Sequence, residues 1–317
     1  AVLSLSAKKE TLNEINSVFG FDNPQYQLET VISDLISNND SKFDIDSSED
    51  YNPEVIHLAN KIYLNGTLMI DEDFRKKAME DYYVEIDNLD FTKSEFAANT
   101  VNEWVENKTA GKLHDLVSSS DFDSSTVLVL INALHFKGPW FLKFEESKTR
   151  RRPFYLQDGS TVEVDMMNNI GDYLYVNSQE LGAQILEIPY FSHRYAMRII
   201  LPKKNNFVLL QKNVQALLDI ELSSAMVNVS LPKFRIESSI EFSPILKQLG
   251  MKRAFDNRAQ FDGLLKNKTN LQISKVLQKT YIDVSENGTE AAAATIKILI
   301  QRKGISTNHY PVHFIAN

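Results

Sequence analysis

The sequence predicts an α+β fold built on antiparallel sheets. Three observations carry that expectation. The first quarter spaces its apolar residues three and four apart, as LNEINSVFGF (12–21) and QYQLETVISDLISN (25–38) show. A β-branched, nearly continuous apolar run, TVLVLINALHFKG (126–138), suits a strand buried on both faces. After it come many short alternating segments, and helices first with strands later is the order of an α+β chain.

The elements follow in order. The chain opens in an uncapped apolar helical pattern (AVLSLSAKKETLNEI) and closes inside a strand-like run (HYPVHFIAN), so both ends read as cut. SKFDIDSSEDYNPE (41–54) is an acidic connector; Asp44, Asp46 and Asp50 mimic the start of a calcium loop, but its glycine and closing glutamate are absent. VIHLANKIYL (55–64) predicts a strand, EDFRKKAMEDYY (72–83) a helix, and TVNEWVENKTAGKLHDLV (100–117) an amphipathic helix broken near Gly111. STVEVDMMN, YLYVN, AQILEIPY, YAMRIILP and MVNVSLPKFRIESSI then read as strands, and FSPILKQLG (242–250) as a helix.

Composition narrows the function. The 317 residues are 43% hydrophobic and 24% charged, as in a globular chain, and without a Pro/Gly/Ser-rich linker they read as one domain, 1–317. A net charge of −8 argues against bulk binding to nucleic acid or anionic membranes. The absence of cysteine excludes disulfides, thiolate metal sites and a thiol nucleophile. No apolar run reaches the roughly 20 residues of a membrane span, and no signal peptide is visible. G-x-S-x-G, H-E-x-x-H, Walker and G-x-G-x-x-G patterns are missing, and the six histidines are scattered, so no enzyme, cofactor or metal is expected. His135 reads as a core residue. Arg150, Arg151 and Arg152 form the one dense basic patch and read as a solvated or acid-paired face.

SENGTEAAAAT (285–295) poses a sharper question. Four alanines after a glycine would ordinarily be a short helix. The surrounding motifs give another answer. LINALHFKGPWFLKF (130–144), VNEWVENKTAGKLHDLV (101–117), LPKFRIESSIEFSPILKQLGMKRAFDNRAQFDGL (231–264) and ISKVLQKTYIDVSENGTEAAAAT (273–295) occur in this order. In that order they resemble the serpins, the serine protease inhibitors, over nearly the whole chain.

The resemblance implies three β-sheets with surrounding helices and an exposed reactive-centre loop at about 286–308. It places the family's opening helix and first strand before residue 1 and its last core strand beyond Asn317. In such a molecule a protease cleaves the loop and becomes covalently attached. The loop then inserts as a new central strand and carries the protease away. Alternation along that strand would turn Thr289, Ala291, Ala293 and Thr295 inward, with Glu290, Ala292 and Ala294 outward. Small inward residues slide between packed strands where large or charged ones would jam, and Gly288 lets the chain turn at the insertion point. Seventeen positions, counted from Glu286 inclusive, end at Arg302, so the scissile bond falls between Arg302 and Lys303. Arginine there suits a trypsin-like protease.

Further positions carry over as structural switches. Lys233 and Glu286 match a pair where insertion begins, with Trp140 beside them. Asn132 and Gln278 match the mid-sheet hydrogen-bond site that must open. The family usually has histidine at the position of Gln278, and glutamine cannot charge, so opening is expected to be less pH-sensitive here. Lys297 has inward parity, which predicts a slowed end to insertion.

Asn39, Asn65, Asn107, Asn228 and Asn267 head glycosylation sequons, which fits a secreted, extracellular monomer; Asn287 heads a sixth and is expected to be unmodified in active protein. The acidic 25–50 segment predicts no heparin activation through it. The alternatives are a non-inhibitory serpin with a carrier, storage or chaperone role, or a substrate cleaved without trapping.

Overall fold

The computed structural model describes residues 2–20, 55–156, 158–203, 211–267, 271–289 and 311–316. Its helices are α1 (Val2–Ser6), α2 (Lys9–Phe19), α3 (Glu72–Tyr82), α4 (Ser94–Lys108), α5 (Val214–Asp219) and α6 (Phe242–Leu249). Its strands are β1 (Val55–Asn65), β2 (Val84–Leu89), β3 (Leu128–Pro139), β4 (Arg150–Tyr155), β5 (Thr161–Ser178) and β6 (Ala183–Pro189). They continue with β7 (Ala196–Pro202), β8 (Ser223–Pro232), β9 (Phe234–Glu241), β10 (Lys275–Ser285), β11 (Gly288–Thr289) and β12 (Val312–Ile315).

Two compact units emerge, neither continuous in sequence. One comprises Ala1–Phe43, Ile56–His135 and Glu237–Tyr281; the other comprises Asp44–Val55, Phe136–Ile236 and Ile282–Asn317.

In the first unit β1 runs parallel to β2, and β3 runs parallel to β10 from Val129 opposite Lys275 to His135 opposite Tyr281. Both faces of this sheet are covered. Ile62, Leu64 and Leu128 pack with Phe74, Ala78 and Tyr82 of α3, whose start is capped by Asp71 accepting the Phe74 N–H. Tyr63, Val129, Ile131 and Ala133 point the other way, onto Ala97, Val101 and Val105 of α4. That two-sided burial is what the unbroken apolar run of β3 anticipates. The helix expected over 100–117 starts earlier and stops at Lys108, where Thr109 turns its hydroxyl back to the Val105 carbonyl.

In the second unit the strand order is β12-β8-β5-β6-β7, with β4 on β5. The core gathers Phe144, Met167, Tyr173, Ile188, Val227, Val229 and Phe314.

Three expectations need correction. The sheets are mixed: β1–β2, β3–β10 and β8–β12 are parallel pairs. The segments 160–168 and 173–177 belong to one strand of 18 residues. The intervening NIGD does not break it, because Asn168 just before it donates across to Asn228 Oδ1 (2.8 Å) and Ser230 Oγ (3.1 Å) while the ladder to β8 continues. The described strands are joined by hydrogen bonds into two six-stranded groups. Conversely, 226–240 splits into β8 and β9 at Lys233, whose backbone N–H donates to the Asp165 carbonyl instead.

Candidate functional site

The last residues of β10 build the site, all within the second unit. The chain reverses in a two-residue hairpin, Glu286–Asn287, which sets Ser285 opposite Gly288 and Val284 opposite Thr289. On its other side β11 pairs with β3, Gly288 opposite Pro139 and Thr289 opposite Gly138. Gly288 and Thr289 thus occupy a strand position between β3 and β10. In the first unit the same two strands pair directly with each other.

Only glycine fits at 288. Its φ is 150°, and an added Cβ would lie 2.1 Å from the Gly138 carbonyl oxygen and 2.7 Å from Pro139 Cα. Both neighbours are backbone and cannot turn aside.

Trp140 fastens this hairpin. Its Nε1 donates to the Ser285 carbonyl (2.9 Å) and its backbone N–H to the Asn287 carbonyl (3.0 Å). The fully buried indole stacks on Tyr190, centroids 4.6 Å apart and planes at 17°. Tyr190 Oη in turn lies 2.6 Å from Thr289 Oγ1. Thr289 is fully buried.

Glu286 closes the turn electrostatically. Lys233 Nζ is 2.8 Å from its Oε2, and Thr149 Oγ1 donates to its Oε1 at 2.8 Å. Burial pushes the carboxyl up, but the hydrogen bonds from Lys233, the backbone and Thr149 outweigh it and hold the carboxyl below its ordinary value. The Glu286 bond holds the Lys233 ammonium above its own. The structure therefore brings Lys233, Glu286, Trp140, Gly288 and Thr289 into one cluster.

Asn132 and Gln278 lie apart from that cluster, in the first unit. They are register partners across β3 and β10. Asn132 Nδ2 donates 2.7 Å to Asn60 Oδ1 on β1. All three side chains line a cavity of about 210 Å³ whose walls include Ile62, Tyr82, Val84 and Leu130. This is a polar clasp in an apolar sheet, with space beside it into which side chains can turn.

Three residues escaped the sequence reading: Thr149, Tyr190 and Asn60. Each is a partner far along the chain, Thr149 and Glu286 being 137 positions apart, and no local pattern marks such a partner.

Glu290, Ala291, Ala292, Ala293, Ala294, Thr295, Lys297, Arg302, Lys303, Asn39 and the acidic 25–50 segment lie outside the described residues. Of the sequon asparagines, Asn107 and Asn267 are exposed, whereas Asn65 and Asn228 are half-buried and hydrogen-bonded. His135 is buried in the first unit with its ring edge-on to Tyr281. Among the described residues no group of three His, Asp or Glu is placed to hold a metal ion, and no helix is long and apolar enough to cross a membrane.

Comparison with known proteins places this geometry. The family model "Serpin (serine protease inhibitor)" matches residues 1–317. Antichymotrypsin-2 of Bombyx mori is 32% identical, with 100% of this chain and 83% of that protein covered. Antitrypsin of the same organism is also 32% identical, covering 100% and 79%. Among solved structures, Serpin48 of Tenebrio molitor superposes with a TM-score of 0.84 at 32% identity, covering 99% of this chain and 82% of that one. Human thyroxine-binding globulin, at 24% identity and a TM-score of 0.83, shares the fold. The chain belongs to the serpin family.

Proposed function

We propose that this serpin is a suicide-substrate inhibitor of a trypsin-like serine protease. The observation that carries the reading is the hinge: Gly288 and Thr289 sit in a strand position between β3 and β10 that admits no side chain at 288. A strand that begins there lengthens by adding small residues, and Ala291 and Ala293 are small. The protease serine would attack the Arg302 carbonyl. The Arg302–Lys303 C–N bond breaks, an ester to Arg302 forms, and the proton goes to the Lys303 amine. The freed loop then inserts, driven by pairing and burial of a strand that began in water. Inhibition asks no catalytic group of this chain.

Similarity does not choose the target, because antichymotrypsin-2 and antitrypsin match at equal identity. Arg302 chooses it. The exposed sequon asparagine Asn267 supports a secreted glycoprotein.

The test is a denaturing gel after mixing with trypsin. A persistent high-mass adduct, with cleavage between Arg302 and Lys303, is expected. Quantitative cleavage with active protease remaining would show a substrate instead. Neither cleavage nor adduct would point to a non-inhibitory serpin with a carrier, storage or chaperone role.

A further inference from the structure

We propose that the β4–β5 hairpin is a second docking surface for the protease that the loop captures, and that it fits an enzyme with an acidic surface around its cleft. This rests on the inhibitor reading above. The three arginines of β4 are the starting point. In register, Arg150 faces Met166, Arg152 faces Val164 and Phe154 faces Val162, while Arg151 faces Asp165 and Pro153 faces Glu163. Alternation therefore sorts the ribbon into two unlike faces. One carries Arg151 with Asp165 and Glu163, and the Arg151–Asp165 contact is 3.9 Å. The other carries Arg150 and Arg152 beside Phe154, Val162 and Val164.

On that second face, among the described residues, neither arginine lies within 4.0 Å of a carboxylate. Both are exposed, and Val162 is 42% exposed next to them. Two cations on an apolar ribbon are the chemistry that takes an acidic protein rim flanking an apolar patch. A polyanion would meet carboxylates on the reverse face, so the ribbon does not present the continuous basic surface such a ligand needs.

Position selects the partner. Thr149, the residue before β4, donates to Glu286 of the hinge, and Lys233, the partner of Glu286, donates its backbone N–H to Asp165 of β5. The hairpin is bonded at its base to the turn that precedes the loop, so the ribbon and the loop spring from the same point of the second unit.

Anionic and cationic trypsin share a specificity pocket but differ in surface charge, so they separate the loop from the ribbon. The association rate of each would be measured with wild type, with R150E/R152E and with R151E. For anionic trypsin the double variant is expected to slow association roughly tenfold at low salt, the difference collapsing near 1 M salt. R151E changes it less, and cationic trypsin is not slowed. Equal effects on both trypsins, or none, would overturn the docking surface while adducts still formed. Retention on heparin that is lost in the double variant, with trypsin rates unchanged, would reassign the arginines to a polyanion. Failure of both trypsins to form an adduct with wild type would remove the inhibitor reading itself.

Discussion

Tyr190 Oη lies 2.6 Å from Thr289 Oγ1, between two buried side chains at the point where β11 leaves the hairpin. That bond, with the indole of Trp140 stacked on the same ring, holds Thr289 in its strand position beside β3. In the proposed mechanism Thr289 is the first inward side chain of the inserting strand.

Replacing Gly288 tests the slot directly. In G288A the new methyl meets the Gly138–Pro139 backbone of β3; overpacking of about 1–3 kcal/mol expels residue 288 from the strand position, so insertion loses its starting point and slows by roughly 5- to 160-fold. Cleavage continues at the wild-type rate, and most molecules are released as clipped substrate. The ratio of adduct to clipped inhibitor on a gel reads this; an unchanged ratio would mean the slot is not used.

The Lys233–Glu286 pair predicts a pH dependence. The Glu286 carboxyl lies below its ordinary value of 4.5, so its stabilisation is complete above that value and fades as pH falls through the lowered one. The Lys233 ammonium lies above its ordinary 10.5, so its share is complete below that and fades as pH rises further. Between the two the contribution is flat. Lys233 is 40% exposed, so K233A is expected to cost only about 1–2 kcal/mol, from a buried carboxylate left with fewer donors. E286Q should melt below wild type at pH 7 and approach it as pH drops under 4.5. Parallel melting curves down to acid would remove the pair from the account.

At the Asn60–Asn132–Gln278 clasp no side chain titrates near neutrality. Thermal opening between about pH 5 and 8 is expected to be level, and Q278H to slope across the same range as an imidazole gains its proton. N60A strips the Asn132 amide of its acceptor and should lower stability by about 1–3 kcal/mol. Hydrogen exchange of the β3 and β10 amides is the readout; an N60A profile identical to wild type would contradict the role given to this bond.

Secreted expression sorts the sequons. Asn267 should carry a glycan, since it is exposed, whereas Asn107 and Asn228 should not, since Thr109 and Ser230 of their sequons are buried and the Asn228 Oδ1 accepts from Asn168. Asn287 should be bare, because Thr289 of that sequon is buried against Tyr190. Glycopeptide mass spectrometry settles each site, and a glycan on Asn228 would contradict this placement.

How much of this the sequence told is clearest residue by residue. β3 announced itself because both faces are buried, which leaves an unbroken apolar run. Lys233, Glu286 and Trp140 came through the family resemblance, and the structure brings them together. Strand direction did not come through: side-chain alternation is the same in parallel and antiparallel pairs, so β3–β10 could not be told from its residues. Residues 169–172 read as a gap between two strands because the cross-strand partners that carry β5 through them lie about sixty positions on. Tyr190, Thr149 and Asn60 are ordinary side chains until the fold delivers their partners.

The central claim is that the loop holds conformational energy released by insertion, and calorimetry of intact and loop-clipped protein tests it most directly. Cleavage between Arg302 and Lys303 should raise the melting temperature well above that of the uncut molecule, because Ala291, Ala293 and Thr295 would then extend the strand begun by Thr289. A clipped protein that melts at or below the temperature of the intact one would contradict it.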